Sequence, residues 1–441
     1  MKYQYINNEL YYFGVDFCRL AREYGTPLKV RYLPAIRENI SSLKECFDRS
    51  IEKHKYPRAY LYANANKANY YADVVLEAIK YSDVVETSGY VDLLMSEAAL
   101  SRLNLTEKYI ICNGIKTEEY MREIISAHNR GVKIIPIFDS LEEYRFFEKC
   151  EISGRLACGI RVNLANAYKT EKDRAESDRF GFSRESLKEF VAEFDRNRFL
   201  PVMLHYHQRA DLFFEDKALY NMKKVFEEYF IPLRKQLSSL EIFNLGGGVP
   251  YSAGEEIDYQ KYSDNIVGAL SELCRGHGVE PPYIMQENGR YTVADSTACI
   301  YKVISKKSFG DLLWYTVDSS FISTLPNTWG LNSDFHFLPV NLAGNEVRKV
   351  CLAGDTCDCD DVYYHQAKEK RVNMPEIPEG EALYIAAFGV GAYQEIVSGA
   401  EGVYHCLVQA PGEVVVSADG GEILFKKGRQ SPEEIMTKLG F

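Results

Sequence analysis

The sequence predicts an α/β protein in which a closed barrel of about eight βα units is followed by an antiparallel β domain. Three observations point there. Up to residue 290, short apolar runs rich in β-branched residues alternate with amphipathic helical runs, the pattern of a parallel sheet. After Arg290 the helical runs give way to short β-type runs separated by turn signals such as Ala418-Asp-Gly-Gly421. Nearly every strand of the first region also ends in a polar or glycine residue, as strands do when their carboxyl ends share one working rim. An open doubly wound sheet is the architectural alternative. The expected division is a barrel over residues 26–290 and a β domain over 1–25 and 291–441, with the N-terminal strand joining the C-terminal β domain.

Asp16 to Glu23 reads as a short capped helix stopped by Gly25 and Pro27. Leu28–Leu33 is a strand, followed by a helix from Pro34 that carries proline in its first turn, where a missing N–H costs nothing. Ala59–Ala65 and the helix Tyr70–Lys80 repeat the unit. The alternation continues through the strands Asp83–Glu86, Lys108–Cys112, Val132–Phe138, Leu156–Val162, Pro201–Tyr206, Glu241–Leu245 and Tyr283–Gln286. Helices fall between them, except where a polar loop, Asn163–Asp178, intervenes with the length and charge of a lid or of a passive surface loop. In the second region Val303 to Asp318, Glu346–Cys351, Ala382–Phe388, Val403–Gln409 and Val414–Lys426 are expected as strands, and Ser431 caps a last short helix.

Composition narrows the function. The 441 residues exceed an ordinary single compact domain unless that domain is a barrel. A net charge of −11 and a pI near 5.4 argue against nucleic-acid or anionic-membrane partners, which need basic patches, and favour small polar or cationic substrates. The opening residues lack the succession of a secretory signal, and no apolar run approaches spanning length, so a cytoplasmic protein is expected. Eleven dispersed cysteines read as free thiols of a reducing compartment.

The residues following the strands carry the chemistry. Lys67 closes the stretch Leu61-Tyr-Ala-Asn-Ala-Asn-Lys67 and directly precedes a helix. Alone it would be a solvated loop lysine; in this company it reads as a Schiff-base lysine for pyridoxal phosphate. Gly246-Gly-Gly248 allows backbone N–H groups to cradle a phosphate, where the plain alternative is a tight turn, and it lacks the Lys-Ser/Thr of a nucleotide loop. Glu287-Asn-Gly-Arg290, with Gly289 giving the turn, pairs a carboxylate that can keep a pyridine nitrogen protonated with a guanidinium that can hold phosphate; a surface ion pair is the alternative. Arg161, Asp139 and Asn113-Gly114 stand at the same kind of position. His205-Tyr-His207 puts two histidines on one strand face, either packed in a core or with one lying flat on a cofactor ring. Gly354-Asp-Thr-Cys-Asp-Cys-Asp-Asp361 concentrates thiols and carboxylates in a turn. Cys351, Cys357, Cys359 and His365 make a loose zinc set, and the preferred reading is a thiol, Cys357, that donates a proton, beside an acid, Asp358, that binds a cationic substrate end.

These motifs resemble a known family. Lys67-Ala-Asn69, the histidine strand, Gly246-Gly-Gly248, Glu287-x-Gly-Arg290-Tyr291, Gly354-x-Thr-Cys357-Asp358 and Gly391-Ala-Tyr393 occur in the order found in fold-type III pyridoxal-phosphate decarboxylases. That group includes ornithine, diaminopimelate and arginine decarboxylases, and its (β/α)8 barrel is alanine-racemase-like. The resemblance covers nearly the whole chain. Ile110-Ile-Cys-Asn-Gly-Ile-Lys116, Leu325-Pro-Asn-Thr-Trp329 and Gly391-Ala-Tyr-Gln-Glu395 look most like the biosynthetic arginine decarboxylases.

The resemblance implies Lys67 bonded to the cofactor, His207 stacked on its ring and Glu287 at the pyridine nitrogen. Gly246, Gly247, Gly248, Arg290 and Tyr393 would hold the phosphate, with Arg161 and Gly289 also in the cofactor site. Cys357 and Asp358 would be supplied across a homodimer interface, and Asn332 and Asp334 would help select the substrate side chain. The expected reaction is decarboxylation of a basic L-amino acid, arginine to agmatine in polyamine biosynthesis, with diaminopimelate, ornithine, lysine or a carboxylated polyamine as alternatives. No metal is expected. The chain departs from the family in placing Gln208-Arg209 where Gly-Ser is usual, and an amide, Asn332, where an acidic residue often follows the tryptophan motif. A racemase on the same cofactor and a catalytically degenerate regulator remain the other readings.

Overall fold

The computed structural model describes residues 2–164, 179–208, 216–331, 333–363, 371–399 and 405–441. The chain forms two compact units. One comprises residues 37–251 and 256–292, the other residues 1–36, 252–255 and 293–441. Most of the loop 163–178 lies outside the described residues.

Within the second unit, β1 (Tyr3–Ile6), β2 (Glu9–Tyr12) and β3 (Val15–Asp16) make an antiparallel sheet of their own. The helix Phe17–Tyr24 follows, as the sequence predicts. The Asp16 carboxylate accepts the Arg19 N–H at 2.9 Å, and Gly25 ends the helix at φ +75°, a backbone geometry that favours glycine. Next comes β4 (Leu28–Tyr32), buried along its whole length.

The first unit is the barrel: β5 (Tyr60–Ala65), β6 (Val84–Thr87), β7 (Tyr109–Cys112), β8 (Ile134–Phe138), β9 (Leu156–Arg161), β10 (Phe199–His205), β11 (Ile242–Asn244) and β12 (Tyr283–Asn288). All neighbours are parallel, and β12 closes on β5 through Ile284 opposite Tyr60 to Asn288 opposite Asn64. Ala63, Val84, Ile111, Ile135, Ile137, Met203 and Met285 fill the interior. Closure is possible because strand interiors alternate small and branched apolar residues: at Gly159 a Cβ would come within 2.4 Å of Ile137 Cδ1. In consequence the barrel is complete without β4, so the expected boundary at residue 26 moves to residue 36.

β4 instead pairs antiparallel with β13 (Thr297–Phe309) and parallel with β19 (Gly412–Val416). A strand buried on both faces reads alike in a barrel and in the middle of any sheet, which is why its sequence does not reveal its partners. The second unit also contains β14 (Leu312–Val317), β15 (His336–Pro339), β16 (Val347–Ala353), β17 (Val372–Pro375), β18 (Tyr384–Phe388) and β20 (Ile423–Lys427). Its sheet runs β17-β16-β14-β13-β4-β19-β20, with β18 branching from β13 and β15 pairing with β18. The pairing is mainly antiparallel; β14–β16 and β4–β19 are parallel.

One strand expectation fails. Of Val403–Gln409, His405–Leu407 form a single tight turn in which Cys406 and Leu407 have φ of +50° and +53°, outside the extended region that a strand requires. No helix among the described residues is long and apolar enough to cross a membrane.

Candidate active site

The barrel rim is built from what each strand delivers at its carboxyl end. β5 runs into the one-turn helix Asn66–Ala68, whose fold is fixed by buried amides. Asn64 donates to Asn66 Oδ1 at 2.7 Å, and Asn66 Nδ2 donates to Ser96 Oγ at 2.9 Å and to Asp92 Oδ1 at 3.3 Å. This turn presents Lys67. Because Ala65 lies opposite Glu86 in the β5–β6 register, the lysine two residues on returns over the neighbouring strand, and Nζ donates to Glu86 Oε1 at 2.9 Å.

Glu86 closes the expected strand Asp83–Glu86, at one of the ends the sequence places on the rim, yet the sequence reading gives it no role. Its side chain is wholly buried, whereas that of Lys67 is 35% exposed. Asn113 Nδ2, at the end of β7, also donates to Oε1 at 2.9 Å, while Oε2 has no hydrogen-bond partner among the described residues. A carboxyl group at a parallel strand end, one strand over from the lysine, is the signal that could have found it. Nearby, desolvation and then the Glu86 charge push the Asp92 carboxyl up to about 6, although Ser88 N–H and Tyr70 OH donate to it.

Arg161 closes β9. Its guanidinium lies 3.5 Å from Asp139 Oδ1 and 4.4 Å from the centre of the Phe180 ring, and Asp139 Oδ2 accepts the Gly181 N–H at 3.0 Å. Desolvation lowers the Arg161 pKa, and Asp139 opposes that fall. Two residues past β10, His207 accepts the Gly247 N–H at Nδ1, 3.1 Å away, so the proton of its neutral ring sits on Nε2. The residue is exposed, yet protein surrounds its ring. Desolvation, followed by the cations Lys67 and Arg161, takes its pKa from 6.5 to about 3. Gln208, standing where the family has glycine, is buried and accepts from Asn221 Nδ2 at 3.1 Å, which ties it to the helix Asp216–Val225.

The glycine triplet makes a tight turn. Gly246 and Gly248 have φ of +67° and +100°. A Cβ on Gly246 would lie 2.5 Å from the Tyr206 carbonyl oxygen, and one on Gly247 would lie 2.9 Å from that of Glu287. Carbonyl oxygens and the His207 imidazole leave no room for a side chain at either position, and the Gly246 N–H donates to Asn244 Oδ1 at 2.9 Å. Beside it, Glu287 Oε1 accepts from Asn244 Nδ2 at 2.8 Å and lies 3.0 Å from His205 Nδ1, although those two atoms are not aligned as a hydrogen bond. Burial opposes ionisation of Glu287, but His205, then Lys67 and Asn113, outweigh it and hold the carboxyl well below its ordinary range. Gly289 is buried, and the half-buried Arg290 opens the short helix Arg290–Val293. Thus Lys67, Arg161, His207, Gly246–Gly248, Glu287, Gly289 and Arg290 all belong to the barrel unit.

The other expected residues belong to the sheet unit. Cys357 and Asp358 follow β16 in a turn clamped by the buried Asp361, which accepts the Phe321 N–H at 2.8 Å and the Thr356 hydroxyl at 2.7 Å. Cys357 is exposed, and Asp358 Oδ2 meets His405 Nε2 at 2.6 Å. Cys351 is buried in β16 among apolar residues, away from the exposed Cys357 and Cys359, so the loose zinc set does not form around it. Tyr393 sits at φ +65° at the head of the helix Gln394–Ser398, and Asp334 is exposed. Asn332 and His365 lie outside the described residues.

Fold and rim together define a (β/α)8-barrel protein with a lysine amine, a glycine turn and a buried carboxylate at one mouth. The chain belongs to the pyridoxal-dependent decarboxylases: the family model described as "Pyridoxal-dependent decarboxylase, C-terminal sheet domain" matches residues 59–389. It is 23% identical over 337 residues to biosynthetic arginine decarboxylase 2 of Synechocystis, covering 70% of this chain and 50% of that protein. It is 25% identical over 308 residues to the biosynthetic arginine decarboxylase of Shewanella frigidimarina, covering 64% and 47%. The chain therefore spans about half the length of the curated relatives it matches. Its fold matches the crystal structure of the biosynthetic arginine decarboxylase of Campylobacter jejuni with a TM-score of 0.84 at 19% identity, over 100% of this chain and 90% of that one. It also matches diaminopimelate decarboxylase of M. jannaschii with a TM-score of 0.81 at 22% identity, over 99% and 97%.

The residues present fit pyridoxal phosphate. Lys67 offers a primary amine, and Glu287 offers an ionised carboxylate to a protonated ring nitrogen.

Proposed function

We propose that the protein decarboxylates a basic L-amino acid with pyridoxal phosphate, arginine to agmatine first, and serves polyamine biosynthesis in the cytoplasm as a homodimer. The observation that carries the reading is the amine of Lys67 held 2.9 Å from a buried carboxylate at the barrel rim, in one unit with the glycine turn. When bound, the cofactor ring supplies an electron sink for the pair left by the departing carboxyl group.

The remaining work falls to the chain. Lys67 would hold the cofactor through its amine, and Glu86 balances the charge of that amine. Gly246–Gly248 and Arg290, together with Tyr393, hold phosphate; Arg161 and Gly289 shape the same pocket. His207, kept neutral, offers a flat face rather than a competing cation. Glu287, ionised at neutral pH, keeps the ring nitrogen protonated. Cys357 of a second copy delivers a proton to the substrate Cα, and Asp358 of that copy, with Asp334 and Asn332, selects a side chain that ends in a positive group. The acidic chain, at −11, agrees with a cationic substrate.

A panel of arginine, ornithine, lysine, diaminopimelate and carboxylated polyamines, assayed on the holoenzyme for carbon dioxide release, tests this reading. Release from arginine above the others is the expected result, and preference for another member names the alternative substrate. Interconversion of enantiomers without carbon dioxide would instead establish a racemase. Cofactor binding with no turnover of any member would establish a regulator.

A further inference from the structure

Three of the cysteines are exposed: Cys357, Cys359 and Cys406. Two of them touch. Cys357 Sγ lies 3.9 Å from Cys406 Sγ although 49 residues separate them, whereas Cys359 Sγ turns toward Asp360 Oδ1 at 3.8 Å. The contact is held from both sides. On one side Asp361 clamps the turn that carries Cys357. On the other, His405 Nε2 lies 2.6 Å from Asp358 Oδ2 and 3.6 Å from Cys406 Sγ, which pins the segment of Cys406 to that of Cys357. The left-handed backbone at Cys406 and Leu407, φ +50° and +53°, is a conformation that non-glycine residues adopt only when the surroundings impose it. Here it turns the second thiol onto the first.

We propose that Cys357 and Cys406 are a redox pair that closes to a reversible disulfide. A disulfide needs the sulfurs at about 2.0 Å, so side-chain rotation and a small shift of two exposed segments complete the approach. The oxidant is a low-molecular-weight disulfide. The Cys357 thiolate attacks it, forming a mixed disulfide and expelling one thiolate. The Cys406 thiolate then attacks the Cys357 sulfur and expels the second. Two protein thiols are oxidised, one small disulfide is reduced to two thiols, and a dithiol reverses the exchange. Desolvation and the neighbouring Cys357 raise the Cys406 pKa, so closure should quicken as pH rises. The functional consequence rests on the reading of Cys357 as proton donor: once in the disulfide it has no proton to give.

The test treats the holoenzyme with oxidised glutathione and maps non-reduced peptides by mass spectrometry, with decarboxylation followed in parallel. We expect a Cys357–Cys406 linked peptide within one chain, removed by dithiothreitol, with activity falling and recovering alongside it. Cys406→Ser should form no such link and should accumulate glutathione on Cys357 instead. A wild-type protein that keeps glutathione on Cys357, or links Cys357 to another cysteine, overturns the pair. If the linked peptide forms while turnover is unchanged, the pair stands and the proton-donor role of Cys357 falls.

Discussion

The sheet unit and the barrel rim both contain buried charge, and they differ in how far it is exposed. In the sheet unit, Lys29 and Arg31 of β4 meet Glu395 and Glu413: Arg31 donates to Glu413 Oε2 and Glu395 Oε1, both at 2.8 Å, and Lys29 lies 2.9 Å from Glu395 Oε1. These side chains are 7% exposed or less, and the charges close on one another. Burial opposes ionisation of Glu395, yet Lys29 and Arg31 hold its carboxyl down to about 2. At the barrel rim the cation reaches solvent. Lys67 is one-third exposed, Glu86 keeps an oxygen without a partner among the described residues, and His207 is a neutral ring between cations. The difference lies in exposure and in neighbours: Glu395 and Glu413 meet their cations out of solvent, Glu395 two of them at once, whereas Lys67 reaches solvent beside a single buried carboxylate.

Changes at the rim should therefore remove chemistry, and changes in the closed cluster should remove stability. The largest effect is expected of Lys67→Ala, which should abolish carbon dioxide release together with the visible absorbance of the lysine-bound cofactor. Unchanged absorbance would place the reactive amine elsewhere. Cys357→Ala should slow amine formation by about 10²-fold or more, the usual scale for a lost general acid, while leaving that absorbance in place; full turnover would assign the proton to another group. Glu395→Gln should cost about 3–5 kcal/mol in denaturant unfolding, since it leaves two buried cations short of a counter-charge. A loss under about 1 kcal/mol would mean that the cluster is less closed than its distances suggest.

The smallest effects are on pH dependence. Glu395 titrates lower in the folded chain than unfolded, so its stabilisation is present above about pH 4.5 and is lost as pH falls from there toward 2. His207 is a base with a depressed folded pKa. Its stabilisation is full above about pH 6.5 and drains away toward pH 3, and its ring resonances in the cofactor-free protein should not titrate between pH 7.5 and 5. Titration near pH 6.5 would break the contrast by making the rim histidine an ordinary exposed one.

Much of the fold was legible because it is periodic or local. Alternation gives the βα units, and a strand end followed by Lys67, by three glycines or by Glu287-x-Gly-Arg290 gives positions on a rim without any knowledge of neighbours. The capped helix after Asp16 is of the same kind. What failed depends on pairing. Whether β4 enters the barrel is decided by β12 bonding to β5, and the twist at Cys406 is imposed by contacts far away in the chain.

The sequence by itself determined that a lysine, a glycine turn and a carboxylate would gather at the carboxyl ends of parallel strands, because side-chain alternation and turn chemistry are written within a few residues. Only the tertiary structure decided that Glu86 is the partner of Lys67, that Asp358 meets His405 and that Cys357 meets Cys406. Such contacts depend on register and on the packing of segments 19 to 49 residues apart, which no local pattern encodes.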